Sequence, residues 1–254
     1  MRKIAFVNEK GGSCKTTLAV NMASYLAGVA GKKVLLIDTD PQGQSGKCLG
    51  MDVKSAPATT LELLLDPALS VKDAVQPTRI DGLDIIVANK TLGDFQTEAA
   101  HDEDRAERLK AKIQPIRGYD YVVFDSPPSL GLLTLNVMVA ASEIVVPVSL
   151  TYLALDGCAE IVDTVESVKK DYGHGKLKIS LVVPVLYRNT RLANAILEKL
   201  GEYFGDKLSS TRVGYNVAID EAQSMGRTIW EYAPNSRGAQ ALEAFAQELI
   251  AAGS

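Results

Sequence analysis

The sequence predicts an α/β fold with a doubly wound, mostly parallel sheet and helices on both faces. Short runs rich in Val, Ile and Leu alternate with longer segments of helical periodicity. The runs are apolar nearly throughout, as expected for strands buried on both faces, and their alternation with helices favours parallel strands. No composition shift marks a boundary, so we expect a single domain over residues 1–254.

The first predicted strand covers residues 3–8, and a helix follows at residues 16–28 with Leu18, Met22 and Leu26 on one stripe. Five further strands are predicted from apolar runs at residues 33–38, 83–88, 121–125, 144–148 and 179–186. Six further helices are predicted at residues 61–65, 104–114, 132–141, 155–172, 192–204 and 238–252.

Composition argues against three classes of protein: membrane-spanning, secreted and nucleic-acid-coating. No apolar run reaches the roughly 20 residues of a membrane span, and the start of the chain lacks the pattern of a secretory signal. The three cysteines, Cys14, Cys48 and Cys158, lack metal-ligand spacing, which favours a reducing, cytoplasmic setting. The net charge of −4 argues against a protein that coats nucleic acid, although a local basic patch stays open.

The segment at residues 9–17 reads EKGGSCKTT, between the first strand and the first helix. Gly11 and Gly12 allow a tight turn with inward N–H groups, Lys15 is expected to reach the β- and γ-phosphates, and Thr16 to ligate Mg²⁺. The alternative to a phosphate-binding loop is an ordinary glycine-rich turn in which the Lys and Thr residues occur by chance. The expected nucleotide contacts are Lys10, Gly11, Gly12, Ser13, Cys14, Lys15, Thr16 and Thr17.

The loop departs from the usual GxxxxGK[ST] pattern. Glu9 and Cys14 occupy the two glycine positions, and Lys10 is an additional lysine. The motif KGGxxKTT resembles the deviant Walker A ATPases of the ParA/Soj/MinD family, and in particular the ParA/Soj partitioning ATPases. This resemblance implies a P-loop NTPase fold with ATP and Mg²⁺ as cofactors. Cys14 brings a Cβ to a position where the loop favours none.

Two further motifs place carboxylates at strand ends, where α/β sheets bind ligands. The stretch DTDPQ begins at Asp38 and resembles the family motif in which Asp40 polarises the attacking water and Asp38 supports the Mg²⁺ shell. The stretch YVVFD ends at Asp125, which has the Walker B form and is expected near the metal. A polar turn and a helix-capping loop are the simpler alternatives.

The C-terminal third also resembles the family. By position, Gly214 and Asn216 are expected to flank the adenine base. Tyr215 and Ala218 replace arginines that, in the family, lie near the surface for non-specific DNA binding, so weak DNA binding is expected. The remaining basic candidates are Arg188, Arg191, Lys199, Lys207, Arg212 and Arg227, among which acidic residues are interleaved. The last helix is acidic, which argues against a membrane anchor.

The functional expectation is a Mg²⁺-dependent ATPase switch that forms an ATP-dependent homodimer and turns over slowly. The presence of a second loop lysine, Lys10, is best explained if it contacts the phosphates bound to the other subunit of the dimer. A centromere-binding or cargo adaptor protein is expected to stimulate hydrolysis. A small-molecule ligase or kinase stays open as the alternative. A redox carrier would need paired cluster cysteines, and Cys48 and Cys158 are not placed for that role.

Overall fold

A computed structural model describes residues 1–253. Within these residues, eight strands form one sheet in the order β3-β4-β2-β5-β1-β6-β7-β8. The strands are β1 (Arg2–Phe6), β2 (Val34–Asp38), β3 (Gln76–Pro77), β4 (Leu83–Ile86), β5 (Tyr121–Asp125), β6 (Glu143–Ser149), β7 (Lys178–Tyr187) and β8 (Val213–Gly214). Every neighbouring pair is parallel except β3 with β4.

Helices cover both faces of this sheet. They are α1 (Lys15–Ser24), α2 (Gln44–Cys48), α3 (Thr60–Leu65), α4 (Val71–Ala74), α5 (Phe95–Glu98), α6 (Arg108–Ile113), α7 (Leu132–Ala140), α8 (Ala154–Asp171), α9 (Arg191–Phe204), α10 (Val217–Ser224), α11 (Ile229–Tyr232) and α12 (Arg237–Ala251). None of the described helices has the length and apolar character needed to cross a membrane.

Two apolar cores flank the sheet, one on each face. In β2, Leu35 and Ile37 contribute to the core shared with α3 and α6 to α9, while Val34 and Leu36 contribute to the core shared with α1 and α12. All four side chains are fully buried, and each such Leu or Ile contributes roughly 1.5–3 kcal/mol through the hydrophobic effect. The two-sided core confirms the predicted doubly wound sheet.

The six predicted strands are all present, and their ends differ from the prediction by at most two residues. The helix predicted at residues 16–28 is α-helical only to Ser24 and continues as a π-helix over Tyr25–Val29. The Ser24 hydroxyl donates to the Val20 carbonyl at 2.7 Å, a bond of the kind that distorts a helical turn. The helix predicted from residue 104 begins only at Arg108, whose guanidinium is bound by Asp102.

The sheet brings the predicted motifs to one edge. β1, β2 and β5 are adjacent and parallel, so the segments that follow them emerge side by side. Asp38 and Asp125 are directly paired in the register of β2 and β5. The phosphate-loop segment leaves β1 at the same edge, between these carboxylates and α1.

Candidate functional site

The N-terminus of α1 is built without a side-chain cap. Cys14, the residue before the helix, makes no capping hydrogen bond, whereas Thr190 caps α9 and Ser236 caps α12. The first N–H groups of a helix have no partner inside the helix, and its dipole favours negative charge at this end. The start of α1 is therefore suited to an anion such as phosphate.

The backbone of the loop requires glycine-like freedom at two positions. Gly12 has φ 72° and Cys14 has φ 61°, both in the left-handed region. Cys14 thus adopts a conformation that disfavours a side chain, as its place in the motif predicts. Gly11 does not have a left-handed φ, and a Cβ at this position would meet no atom within 4 Å. The conformation and packing of the loop therefore do not require glycine at residue 11. Burial and the charge of Asp220 raise the pKa of Cys14 to about 11, so the thiol stays protonated.

Lys15 lies at the floor of the loop. Lys15 is 6% exposed, and its ammonium donates to the Lys10 carbonyl at 3.2 Å. Burial lowers the pKa of Lys15, and the negative charges of Asp125 and Asp40 oppose that shift. The position beside carboxylates and a helix N-terminus suits a lysine that neutralises phosphate charge.

Asp38 and Asp125 form a buried pair at the ends of β2 and β5. Asp38 accepts hydrogen bonds from the backbone N–H groups of Asp40 (3.0 Å) and Ser45 (3.1 Å). Asp125 accepts from the Ser45 hydroxyl at 2.8 Å, and the nearby Thr16 hydroxyl favours the charged form of Asp125. Burial raises the pKa of Asp125 to about 6, and burial together with the Asp125 charge raises the pKa of Asp38 well above its usual range. Two fully buried carboxylates at paired positions of adjacent strands are stabilised in their charged form only by a nearby positive charge.

The residues present fit a magnesium ion. Asp125 Oδ1 is buried and lacks a hydrogen-bond partner among the described residues, which is the feature that an oxygen ligand to a metal would leave. The Thr16 hydroxyl and the Asp38 and Asp125 carboxylates are hard oxygen donors of the kind that Mg²⁺ prefers. Among the described residues no cluster of three or more His, Cys, Asp or Glu side chains could hold a metal by itself, and Mg²⁺ usually retains several waters and phosphate ligands.

Asp40 lies next to this pair and is 7% exposed. Its Oδ1 accepts from the Gln42 N–H at 2.9 Å, and its carbonyl accepts from the Gly43 N–H at 2.9 Å. Gly43 has φ 58°, and a Cβ there would lie 2.3 Å from the Ala88 carbonyl oxygen. Only glycine fits this close approach, so the turn fixes the direction of the Asp40 carboxylate.

Lys10 points away from the floor of the loop. Its ammonium donates to the Leu153 carbonyl at 2.5 Å, just before α8 begins, and its side chain passes Gly157 in α8. Its backbone N–H is held by Asn8 Oδ1 at 2.9 Å. The two lysines of the loop are thus separated: Lys15 faces the carboxylates of its own subunit, and Lys10 faces outward toward α8.

The segment predicted to hold the base lies beside α1. Asn216 caps α10 through its side chain, which accepts from the Ala218 N–H at 3.0 Å. A narrow cavity opens here between Cys14 and Thr17 on one side and Gly214 and Asn216 on the other. The structure therefore brings Cys14 and Thr17 of the phosphate loop to the same cavity as Gly214 and Asn216. The earlier loop residues, Lys10 to Ser13, line a separate cavity beside α8.

Two residues of the site were not predicted from the sequence. Ser45 joins Asp38 and Asp125 through its N–H and hydroxyl, and Gln223 donates to the Thr17 hydroxyl at 2.9 Å. The stretch GQS that starts α2 carries no recognisable motif, and Gln223 lies about two hundred positions from its partner in the chain. The turn expected after the DTDPQ stretch was the one sequence feature that could have drawn attention to Ser45. No sequence feature pointed to Gln223.

The candidate DNA surface carries uncharged side chains at the two positions, Tyr215 and Ala218, where the sequence comparison expects arginine. Tyr215 is exposed, and Ala218 is half-buried on α10. Arg212 lies over the Tyr187 ring, with its guanidinium carbon 5.1 Å from the ring centroid. All six predicted basic candidates are exposed: Arg188, Arg191, Lys199, Lys207, Arg212 and Arg227.

A phosphate loop after the first strand of a mostly parallel sheet, with carboxylates at the ends of the two adjoining strands, defines a P-loop nucleoside triphosphatase. A family model described as an AAA domain matches residues 1–179. The sporulation initiation inhibitor protein Soj of Bacillus subtilis is 37% identical over 98% of this chain and 98% of its own length. The chromosome partitioning protein ParA of Caulobacter vibrioides is 35% identical over 98% of this chain and 94% of its own length.

A solved structure of an ATP-binding protein has a similar fold. Cobyrinic acid a,c-diamide synthase from Mycobacterium smegmatis, with bound ATP analog and magnesium, matches with a TM-score of 0.85 and 28% identity over 98% of this chain and 94% of that chain. The chain belongs to the AAA-domain family of P-loop ATPases that includes the Soj and ParA chromosome-partitioning proteins.

Proposed function

We propose that the chain is a ParA-type ATPase switch, a single domain that dimerises on binding ATP and hydrolyses it slowly to partition or position DNA or another intracellular cargo. Its proposed cofactors are ATP and Mg²⁺, and its proposed location is the cytoplasm, with association to the nucleoid. The Soj and ParA relatives support the class of function. The separate settings of Lys10 and Lys15 carry the proposal of a dimer.

In the proposed reaction, Lys15 and the amides at the start of α1 hold the phosphates. Bound Mg²⁺ supplies positive charge to the phosphate oxygens, and Thr16, Asp38 and Asp125 are its proposed protein partners. Asp40 orients a water molecule for attack on the γ-phosphorus, so that the bond to the bridging oxygen breaks and ADP and phosphate form. Phosphoryl transfer depends chiefly on positioning and electrostatics, which a buried, turn-fixed carboxylate supplies.

The outward direction of Lys10 supports action on a second subunit. The segment whose backbone carbonyl accepts from the Lys10 ammonium carries two large exposed side chains: Tyr152 is 83% and Leu153 is 52% exposed. Large exposed apolar side chains next to a nucleotide site favour a contact surface. A second copy that covers them would bring its own phosphates within reach of Lys10.

A small-molecule ligase is the second candidate, favoured by the similarity to the Mycobacterium smegmatis diamide synthase. The two functions differ in what starts turnover. We expect the purified chain to hydrolyse ATP slowly with Mg²⁺ and no acceptor molecule, and to be stimulated by DNA together with an adaptor encoded by a neighbouring gene. Hydrolysis that depends strictly on a small-molecule acceptor would favour the ligase instead.

A further inference from the structure

The cavity between the start of α1 and the start of α10 has one charged side chain among its lining residues, Asp220. The rest of its polar lining is neutral, and Leu18 and Ile219 form apolar walls. The cavity encloses about 30 Å³, room for one or two water molecules, so a nucleoside would cover its mouth and not fill it. Side chains at that mouth therefore meet the sugar or the base.

Helix α10 is held so that Asp220 faces α1. Gln223, three residues further along the same helical face, donates to the Thr17 hydroxyl at 2.9 Å. At the other end, Asn216 packs against the start of α12, where a Cβ on Gly238 would approach within 2.8 Å of the Asn216 side chain. These contacts fix the register of α10 against the phosphate loop.

The Asp220 side chain lines the cavity together with Tyr215 and Cys14 of the phosphate loop. It raises the pKa of the Tyr215 phenol, and its charge adds to burial in raising the pKa of the Cys14 thiol. Asp220 thus lies between the loop that holds phosphate and Gly214 and Asn216, where the base is proposed to lie. In a nucleotide, the group between phosphate and base is the ribose.

We propose that Asp220 accepts hydrogen bonds from the 2′- and 3′-hydroxyls of the bound ribose and so selects ribonucleotides over deoxyribonucleotides. This inference rests on the proposed ATP-binding function. A carboxylate has two oxygens and can accept from both hydroxyls of a vicinal diol, and hydrogen bonds to a charged acceptor are the strong ones. A carboxylate beside bound phosphates is otherwise repulsive, and the two hydroxyl bonds offset that cost. Tyr215 acts as the positioning residue.

A structural role for Asp220 predicts a different result. Asp220 lies in the first turn of α10, where negative charge stabilises a helix through its dipole. That role alone would lower the melting temperature of an Asp220 variant and leave its preference among nucleotides unchanged.

The test measures Kd by calorimetry for ATP, 2′-deoxy-ATP and 3′-deoxy-ATP with Mg²⁺. The wild type is expected to bind each deoxy analogue about tenfold more weakly than ATP, the effect of one lost hydrogen bond to a charged group. In Asp220→Ala the three Kd values are expected to converge to within about twofold. Tyr215→Phe is expected to keep part of the preference.

Glu221→Ala is the matched control, because it removes the same charge from the next residue, whose carboxylate accepts from the Tyr232 hydroxyl at 3.1 Å. It is expected to retain the full preference. Asp220→Asn keeps the shape of the side chain, serves if the alanine variant fails to fold, and is expected to weaken the preference.

Equal Kd values for the three nucleotides in the wild type, or an unchanged preference in both Asp220 variants, would overturn the role of Asp220 and leave ATP binding intact. No binding of ATP by the folded wild type would overturn the proposed function together with this inference.

Discussion

The two ends of the nucleotide cleft are built differently. At the phosphate end, Lys15, Asp38 and Asp125 are buried; the two carboxylates are fixed by the register of adjacent parallel strands, and Lys15 begins α1. At the sugar and base end, Tyr215 and Asp220 are exposed and held by side-chain contacts between distant parts of the chain. We therefore propose that the chemistry of hydrolysis depends on the geometry of the sheet edge, whereas nucleotide selectivity and partner contacts depend on the exposed end.

The largest expected effect separates the two lysines at the phosphate end. Lys15→Ala should weaken ATP binding by at least about a hundredfold, because it removes a buried charge from the phosphates. Lys10→Ala should bind ATP within a few-fold of the wild type, since its ammonium lies on the Leu153 carbonyl. Calorimetry with Mg²⁺ measures both. Equal losses in the two variants would remove the distinction between a phosphate-binding lysine and an outward one.

The next effect separates binding from hydrolysis. Asp40→Ala should lower the turnover of ATP by two orders of magnitude or more and change its Kd little, because a water-positioning group acts mainly in the transition state. Single-turnover hydrolysis and calorimetry give the two quantities. Asp52→Ala, on an exposed turn, is the control and should hydrolyse ATP normally. An Asp40 variant with near-normal turnover would exclude Asp40 from the proposed role.

At the exposed end, a restored arginine should strengthen DNA binding. Tyr215→Arg should raise the affinity for non-specific duplex DNA in the presence of ATP, and steepen the slope of log K against log salt by about 1, since each new phosphate contact releases counterions. Tyr215→Gln serves as the neutral control. Fluorescence anisotropy across a salt series measures both quantities. An unchanged slope would show that residue 215 does not face DNA.

The smallest effect concerns the strained loop residue. Cys14→Gly should unfold at higher urea concentration than Cys14→Ala, by about 1 kcal/mol, because glycine adopts a left-handed φ without the steric cost that a Cβ brings. The alanine variant keeps the Cβ and loses only the thiol, so the difference isolates the backbone. If the alanine variant is the more stable of the two, the φ of 61° at Cys14 is not a source of strain.

The sequence was sufficient for the six longer strands of the sheet and for the phosphate end. Apolar runs marked each of these six strands, and the position of Asp125 after such a run placed it at the strand end. The two-residue strands β3 and β8 carry no such run and were not predicted. Glycine and lysine spacing likewise placed Lys15 at the start of the first helix. These signals are local, and parallel pairing then brings them together without further information.

The exposed end could not be predicted in the same way. Helix α10 is only eight residues long, and its place depends on the bond between Gln223 and Thr17. The π-helical turn at Tyr25–Val29 follows an ordinary helical pattern, so nothing in the local sequence distinguished it. Likewise, the contact of Lys10 with Leu153 joins residues that no motif connects. Contacts of this kind are set by tertiary packing.

The switch dimer is tested most directly by light scattering coupled to size-exclusion chromatography, with ATP and Mg²⁺, on the wild type, Asp40→Ala and Lys10→Ala. Asp40→Ala should accumulate as an ATP-bound dimer because it binds but does not hydrolyse. Lys10→Ala should bind ATP and elute as a monomer, because the proposed role of Lys10 is to contact the phosphates of the other subunit. A monomeric, ATP-bound Asp40→Ala protein, or a Lys10→Ala protein that dimerises and turns over like the wild type, would show that Lys10 does not join two subunits.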